Sequence, residues 1–213
     1  MIAQYVRFPT VRSSLSLEGE LCLPESSAPV PGVVVAHPHP QRGGSMDSNV
    51  VLAVCMGAQR AGLATLRFNF RGVGNSEGAS TASTEEVGDI LGALAFLEAQ
   101  PGVSTIGLAG YSFGARMCFA ALTASPQIKA LLTVAPPLRE HLPADQRPTI
   151  PFHALVGDRD GLVSEGIERY ASYLPDPTGL QVVPGTDHFW WGFEEILVDA
   201  SEKFFAEHLS AAR

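Results

Sequence analysis

The stretch Gly110-Tyr111-Ser112-Phe113-Gly114 lies where one hydrophobic pattern gives way to another. A continuous apolar run precedes it, and apolar residues at helical spacing follow it. The run before it contains Ile106, Leu108 and Ala109, and the residues at helical spacing after it are Ala115, Cys118, Phe119 and Leu122. A strand, a tight turn and a helix in this order form the setting of a nucleophile elbow, where a serine hydroxyl projects above a sheet and flanking side chains would collide with backbone. The sequence therefore predicts that Ser112 is a nucleophile.

Length, composition and charge limit what the rest of the chain can be. Its 213 residues, of which 46% are hydrophobic and 17% charged, are enough to bury one substantial core and predict a single domain over residues 1–213. The 22 acidic residues exceed the 14 basic ones, for a formal charge of -8, and no basic stripe could neutralise phosphates. Nucleic acid is therefore not an expected partner, and the sequence leaves the oligomeric state open.

Cysteine usage and hydropathy predict a reducing, cytoplasmic location. Cys22, Cys55 and Cys118 are odd in number, lack C-x-x-C spacing and lie among apolar residues, so we expect buried free thiols. The first residues do not combine a charged segment with an apolar one, and no apolar run approaches the length that crosses a bilayer. We expect no membrane partner.

The order of the hydrophobic segments predicts an α/β fold. Apolar residues alternate from Leu15 to Leu23, which is typical of an edge strand exposed on one face, and an antiparallel hairpin is expected to open the fold. A capping box of Ser83 and Glu86 begins an amphipathic helix that reaches Glu98. Helical patterns separate most of the continuous apolar runs at 32–36, 63–70, 103–109, 128–135, 152–156 and 180–183. These runs predict a mostly parallel, doubly wound sheet that binds ligands at the carboxyl ends of its strands.

A carboxylate that could serve the serine follows the apolar run at 152–156. A serine hydroxyl is a weak nucleophile at neutral pH and needs a base, which in turn needs a carboxylate to orient it. The residue pattern alone leaves Asp158 and Asp160 both open. Here the chain resembles the α/β-hydrolase superfamily, whose acid commonly ends a G-x-x-D pattern with Val shortly after it, as Gly157, Asp160 and Val163 do. The resemblance implies that Asp160 is the acid and that Asp158 satisfies backbone NH groups in the turn.

The expected base lies in the loop between the last strand and the last helix. His188 follows Asp187 there, and a loop at this place could bring an imidazole over the serine. A lone loop histidine is more often only solvated, but the chain order of serine, acid and histidine favours the base. Asp187 is interpreted as a residue that shapes the loop.

An ester-cleaving serine also needs NH donors for the oxyanion of its tetrahedral intermediate. The backbone NH of Phe113, at the start of a helix, supplies one. The second is expected from the loop after the first parallel strand, where Pro38 and Pro40 carry no NH and His39 is the best candidate. A metal site built on His37 and His39 is the alternative, which the absence of acidic or thiolate ligands nearby in sequence disfavours.

A second loop adds to the resemblance. Arg71 opens the run R-G-V-G-N-S after the second parallel strand, and its expected role is to hydrogen-bond loop carbonyls. Together with the other motifs, the resemblance covers residues 36–188 and is strongest to small bacterial hydrolases related to dienelactone hydrolase. The dienelactone hydrolases proper use a cysteine nucleophile, so their lactone chemistry does not carry over to Ser112.

The short segment at 136–151 cannot form a large cap, although many relatives insert one here. An open site excludes water poorly and favours small, soluble esters over long lipids. The resemblance thus implies a lidless α/β-hydrolase fold, and the residues predict a serine carboxylesterase that works through an acyl-enzyme without a cofactor or metal. Thioesterase and perhydrolase activities would use the same residues, and a binding module without turnover is a further alternative.

Overall fold

A computed structural model describes residues 1–11, 13–138, 142–161, 167–173 and 179–209 of the chain. The strands within these residues are β1 (Ile2–Pro9), β2 (Ser16–Leu23), β3 (Val30–Ala36), β4 (Ala64–Phe68), β5 (Val103–Tyr111), β6 (Ile128–Val134), β7 (Phe152–Gly157) and β8 (Leu180–Val183). They form one sheet in the order β1-β2-β4-β3-β5-β6-β7-β8. The hairpin of β1 and β2 is antiparallel, β2 is antiparallel to β4, and the remaining pairs are parallel.

Helices cover both faces of the sheet, so the side chains that alternate along each parallel strand enter two cores. The described helices are α1 (Asn49–Arg60), α2 (Val87–Glu98), α3 (Phe113–Leu122), α4 (Ile167–Tyr173) and α5 (Glu194–Leu209). Val34 of β3 lies in the core beneath α2 and α3, whereas its neighbours Val33 and Val35 lie in the core beneath α1 and α5. The predicted doubly wound architecture, opened by an antiparallel hairpin, is confirmed.

The position of the hairpin corrects one prediction. The strand expected at the edge, here β2, is the second strand of the sheet and pairs on both sides, with β1 and with β4. The edge is β1, which is mostly exposed. Alternation of buried Leu17 and Leu21 along β2 reports that one face is covered, but it does not report whether the backbone groups at the strand's sides find partners.

Several local predictions are confirmed. The Ser83 hydroxyl accepts a backbone NH and Glu86 closes the capping box, although a 3-10 turn (Thr84–Glu86) precedes α2. The three cysteines are buried free thiols. β5 extends two residues further than predicted and ends at Tyr111, directly before Ser112.

The segment between β6 and β7 bears on how open the sheet's carboxyl edge is. Its described residues, 136–138 and 142–151, contain one 3-10 turn (Ala144–Gln146) and no α-helix. This agrees with the expected lack of a large cap. Among the described residues, none of the helices has both the length and the apolar character required to cross a bilayer.

Candidate active site

The turn between β5 and α3 has the geometry of a nucleophile elbow. Ser112 adopts φ 52° and ψ -115°, a left-handed conformation that is strained for any residue with a side chain. A Cβ at Gly110 would lie 2.6 Å from the backbone nitrogen of Ala115, and one at Gly114 would lie 2.5 Å from the carbonyl oxygens of Ala36 and His37. Both glycines are therefore required sterically, as the sequence predicts.

The structure brings the three candidate side chains together at the carboxyl ends of the strands. His188 Nε2 lies 3.0 Å from Ser112 Oγ, and His188 Nδ1 lies 2.8 Å from Asp160 Oδ2. An ionised carboxylate only accepts hydrogen bonds, so Nδ1 carries the proton and Nε2 is free to accept the serine proton. These contacts join residues that are 28 and 76 positions apart in sequence.

Other carboxylates near the histidine have different tasks. Asp158 Oδ1 accepts the Gly185 NH at 2.7 Å and so connects the loop after β7 to the loop after β8. Asp187 Oδ1 accepts the Phe189 NH at 2.9 Å in a local turn. Both therefore act as the loop residues that the sequence predicts, and Asp160 is the one that reaches the imidazole. Val163, which supported the choice of Asp160, lies outside the described residues.

Burial shields the hydrogen-bonded pair of Asp160 and His188 from solvent, more completely at the carboxylate than at the imidazole. The Asp160 side chain is 1% exposed and that of His188 is 18% exposed. Behind the histidine, the Tyr111 hydroxyl donates to the His188 carbonyl oxygen at 2.7 Å, and the two rings lie 5.5 Å apart. Burial, with the nearby charges of Asp160 and Asp187, raises the pKa of Tyr111, so its hydroxyl stays protonated as a donor.

The residues after His188 anchor its loop. Trp190 is fully buried in the core beneath α1 and α5 and has a positive φ of 62°. Asn49 of α1 donates through Nδ2 to the Phe189 carbonyl oxygen at 3.0 Å. Sequence reasoning missed Tyr111, Phe189 and Trp190 as residues of this site, although their proximity in sequence to Ser112 or His188 was a usable signal.

The expected oxyanion donors lie on two segments that pack against each other. Phe113 is the first residue of α3, where a backbone NH has no acceptor within the helix. The close contact of Gly114 with the Ala36 and His37 carbonyls places the end of β3 against this helix start, and the His39 and Phe113 rings are 5.3 Å apart. In the described part of the chain, the backbone hydrogen bonds at His39 use its carbonyl, which accepts from Arg42 and Gly44. This arrangement is compatible with donation by both NH groups.

His37 and His39 differ in their surroundings. His37 is fully buried, its Nε2 accepts the Phe70 NH at 3.0 Å, and its Nδ1 donates to the Pro38 carbonyl at 2.6 Å. Burial lowers the pKa of His37 to about 4, which keeps the ring neutral. Both ring nitrogens are thus occupied by protein groups, which disfavours the two-histidine metal site. His39 Nδ1 is buried without a hydrogen-bond partner among the described residues.

Arg71 has a structural role that is broader than predicted. Its guanidinium donates to the carboxylate of Asp89 through Nε and through Nη2, the latter at 2.7 Å, and also to the Glu85 carbonyl at 3.1 Å. Asp89 is completely buried in α2, so the ion pair ties the loop after β4 to that helix. The expected carbonyl contact is present, but the carboxylate is the main partner.

Comparison with known proteins places this geometry in a family. The family model for the alpha/beta hydrolase fold matches residues 39–172, well over half of the chain. The chain belongs to the alpha/beta hydrolase fold family. An uncharacterised protein of Rickettsia prowazekii (strain Madrid E), RP471, is 30% identical to this alpha/beta hydrolase over 176 residues, which cover 78% of this chain and 74% of that protein.

Two solved structures share nearly the whole architecture of this alpha/beta hydrolase. XC6422 of Xanthomonas campestris, described as an α/β serine hydrolase without a lid, superposes with a TM-score of 0.85 at 27% identity over 99% of this chain and 97% of that one. An alpha-beta serine hydrolase homologue of Coxiella burnetii gives a TM-score of 0.81 at 28% identity, covering 95% and 97% of the two chains. These likenesses support a hydrolase with a small, lidless fold.

Proposed function

We propose that this alpha/beta hydrolase is a serine esterase that cleaves small carboxylic esters through an acyl-enzyme. The observation that carries the proposal is the continuous chain of hydrogen bonds from Ser112 Oγ to His188 and on to Asp160 Oδ2. A strained serine at the start of a helix, with a base at 3.0 Å, is what nucleophilic catalysis requires and what a binding protein has little physical need for.

In the first half-reaction, the Ser112 oxygen attacks the ester carbonyl carbon while His188 Nε2 takes the hydroxyl proton. The negative charge that develops on the carbonyl oxygen is stabilised by the NH groups of Phe113 and His39. Asp160 stabilises the imidazolium and keeps Nδ1 protonated. The intermediate then breaks its bond to the alkoxy oxygen, which receives the proton from Nε2 and leaves as an alcohol.

In the second half-reaction, water attacks the acyl-enzyme. His188 takes one proton from the water, and the resulting tetrahedral intermediate expels Ser112, which recovers that proton from Nε2. The carboxylic acid is released, and the free enzyme is restored. Apart from the ester and the water, the proposed cycle uses only side chains and backbone groups of this chain.

The short connection between β6 and β7 supports small substrates. A cap would bury a long acyl chain, and the described residues of this connection offer only a 3-10 turn. We expect short-chain esters to be hydrolysed faster than long-chain ones. A preference for long acyl chains would contradict this part of the proposal.

Labelling and substitution together test the function. A fluorophosphonate probe should label the wild-type protein at Ser112, and Ser112→Ala should abolish labelling and lower turnover of short aryl esters by several orders of magnitude. Ser125, which is also buried, offers a matched control, because Ser125→Ala should leave both labelling and turnover unchanged. Folded wild-type protein that takes no label at Ser112 would instead support a binding module.

Acyl thioesters and lactones belong in the same assay. The oxyanion site and the nucleophile would accept several leaving groups, so the substrate profile of the purified protein decides between an esterase and a thioesterase.

A further inference from the structure

We infer that Phe189 forms a subsite for the leaving group of the ester and gives the enzyme a preference for esters of aromatic alcohols. The inference rests on the proposed esterase function and adds a substrate class to it. The observation behind it is an exposed aromatic ring in contact with the candidate base: Phe189 is 59% exposed, and its ring centroid is 5.8 Å from that of His188 in an edge-to-face arrangement.

The surroundings of the imidazole determine which part of a substrate meets this ring. Asp160 lies against Nδ1 and Ser112 against Nε2, while the buried ring of Tyr111 lies 5.5 Å from the imidazole. Of the two phenyl or phenol rings that contact the imidazole among the described residues, Phe189 is the one open to solvent. A substrate group beside the base can therefore reach Phe189, whereas Tyr111 is already covered.

The chemistry places the leaving group there. His188 Nε2 must donate its proton to the alkoxy oxygen, so that oxygen comes within hydrogen-bond reach of the imidazole and its substituent begins one bond further on. The acyl carbon is bonded to Ser112, and its oxygen is held by the NH groups of Phe113 at the start of α3 and of His39. Phe189 accordingly meets the alcohol part of the ester and not the acyl part.

The backbone of Phe189 is held independently of its ring. Its NH donates to Asp187 Oδ1 at 2.9 Å, and its carbonyl accepts from Asn49 Nδ2 at 3.0 Å. The next residue, Trp190, is fully buried. The backbone that carries the ring is thus fixed, which lowers the entropy that the loop loses when a ligand binds, and removal of the ring leaves these backbone contacts intact. An exposed apolar ring on a fixed backbone favours a planar apolar partner, such as the ring of a phenol.

The test compares two acetates that form the same acyl-enzyme. Phenyl acetate and hexafluoroisopropyl acetate have leaving alcohols of similar acidity, and only the first carries an aromatic ring. Phe189→Ala should lower kcat/KM for phenyl acetate by about five- to twentyfold relative to hexafluoroisopropyl acetate. The deacylation rate, obtained from the steady-state phase after the burst, should not change. Phe189→Tyr keeps the ring and should restore the preference for phenyl acetate.

Trp191→Ala is the matched control. Trp191 is also exposed, at 72%, and lies in the same loop, but no contact between its ring and His188 is present in the described residues. The control should leave the ratio of the two kcat/KM values unchanged. An equal loss with both acetates in Phe189→Ala, or no loss with either, would overturn the inference while leaving the esterase proposal in place. Failure of the esterase proposal is recognised separately, because the wild-type protein would then hydrolyse neither acetate.

Discussion

The Tyr111 hydroxyl donates a hydrogen bond of 2.7 Å to the carbonyl oxygen of His188, so the residue before the candidate nucleophile holds the residue that would act as its base. The tie crosses from the end of β5 to the loop after β8, two segments that are 77 positions apart in sequence. This hydrogen bond holds the backbone at His188, and the buried side chain of Trp190 holds the same loop two residues further on. The distance between Nε2 and Ser112 Oγ depends on both.

Tyr111→Phe should therefore lower turnover as well as stability. Removing the hydroxyl leaves a carbonyl without its donor and should lower the free energy of unfolding by about 1–2 kcal/mol. The released loop should also lower kcat by about three- to tenfold, less than the 10² that a misplacement of about 1 Å can cost. Urea unfolding and ester kinetics measure the two effects.

Tyr170→Phe provides the control for this prediction. The Tyr170 hydroxyl also donates to a carbonyl oxygen, that of Pro136, at 2.7 Å, and the residue is buried. Its loss should lower stability by a similar amount but lower kcat less than Tyr111→Phe does, because its hydroxyl is bonded to Pro136 and not to the His188 backbone. If both variants lost kcat equally, the effect would come from general destabilisation and not from the tie to His188.

Substitution of the two aspartates after β7 should give very different results. Asp160→Asn would favour the wrong tautomer of His188 and should lower turnover by about 10⁴. Asp158→Asn keeps an oxygen that can accept the Gly185 NH, so turnover should fall by less than about tenfold. Circular dichroism would establish that both variants are folded. The reverse ranking would transfer the role of the acid to Asp158.

The loop after β3 can be tested by separating a backbone donor from its side chain. His39→Ala retains the NH and should keep most of the activity, whereas His39→Pro removes it and should lower turnover by about 10² to 10³. Proline also restricts φ and the preceding residue, so a crystal structure of the variant is needed to check the loop. Equal damage in both variants would mean that the imidazole, whose Nδ1 is buried without a partner among the described residues, acts directly.

His37 should make the protein less stable in mild acid. Its pKa is about 4 in the folded protein, below the ordinary value of 6.5, so between these values the unfolded chain binds a proton that the folded chain does not. The stabilisation is complete above pH 6.5 and is lost as the pH falls towards 4. By pH 5 the loss from this one group should be about 2 kcal/mol.

Urea unfolding at several pH values measures this loss. His37→Gln retains an oxygen that can accept the Phe70 NH but does not titrate, so its stability should fall less steeply between pH 7 and pH 5 than that of the wild-type protein. Parallel pH profiles for the two proteins would show that His37 does not titrate on unfolding as proposed.

Much of the fold could be predicted because each strand of a parallel sheet is buried on both faces and therefore reads as a continuous apolar run. Most predicted strands agree with the structure to within two residues at each end. The position of the hairpin in the sheet was harder to predict. β2 shows the alternation of an edge strand, but it also pairs with β4. The alternation of side chains does not depend on whether the backbone groups of the strand are paired.

The sequence by itself determined the order of the elements, the steric need for Gly110 and Gly114, and the residue types available for a serine, histidine and carboxylate site. These are local properties, set by periodicity and by the backbone geometry of one turn. Only the tertiary structure decided which aspartate reaches His188, because Asp158 and Asp160 both follow β7 and the path of the turn sends one to Gly185 and the other to the imidazole. It alone decided that Tyr111 lies buried behind the histidine while Phe189 lies exposed beside it, since burial depends on which distant segments pack together.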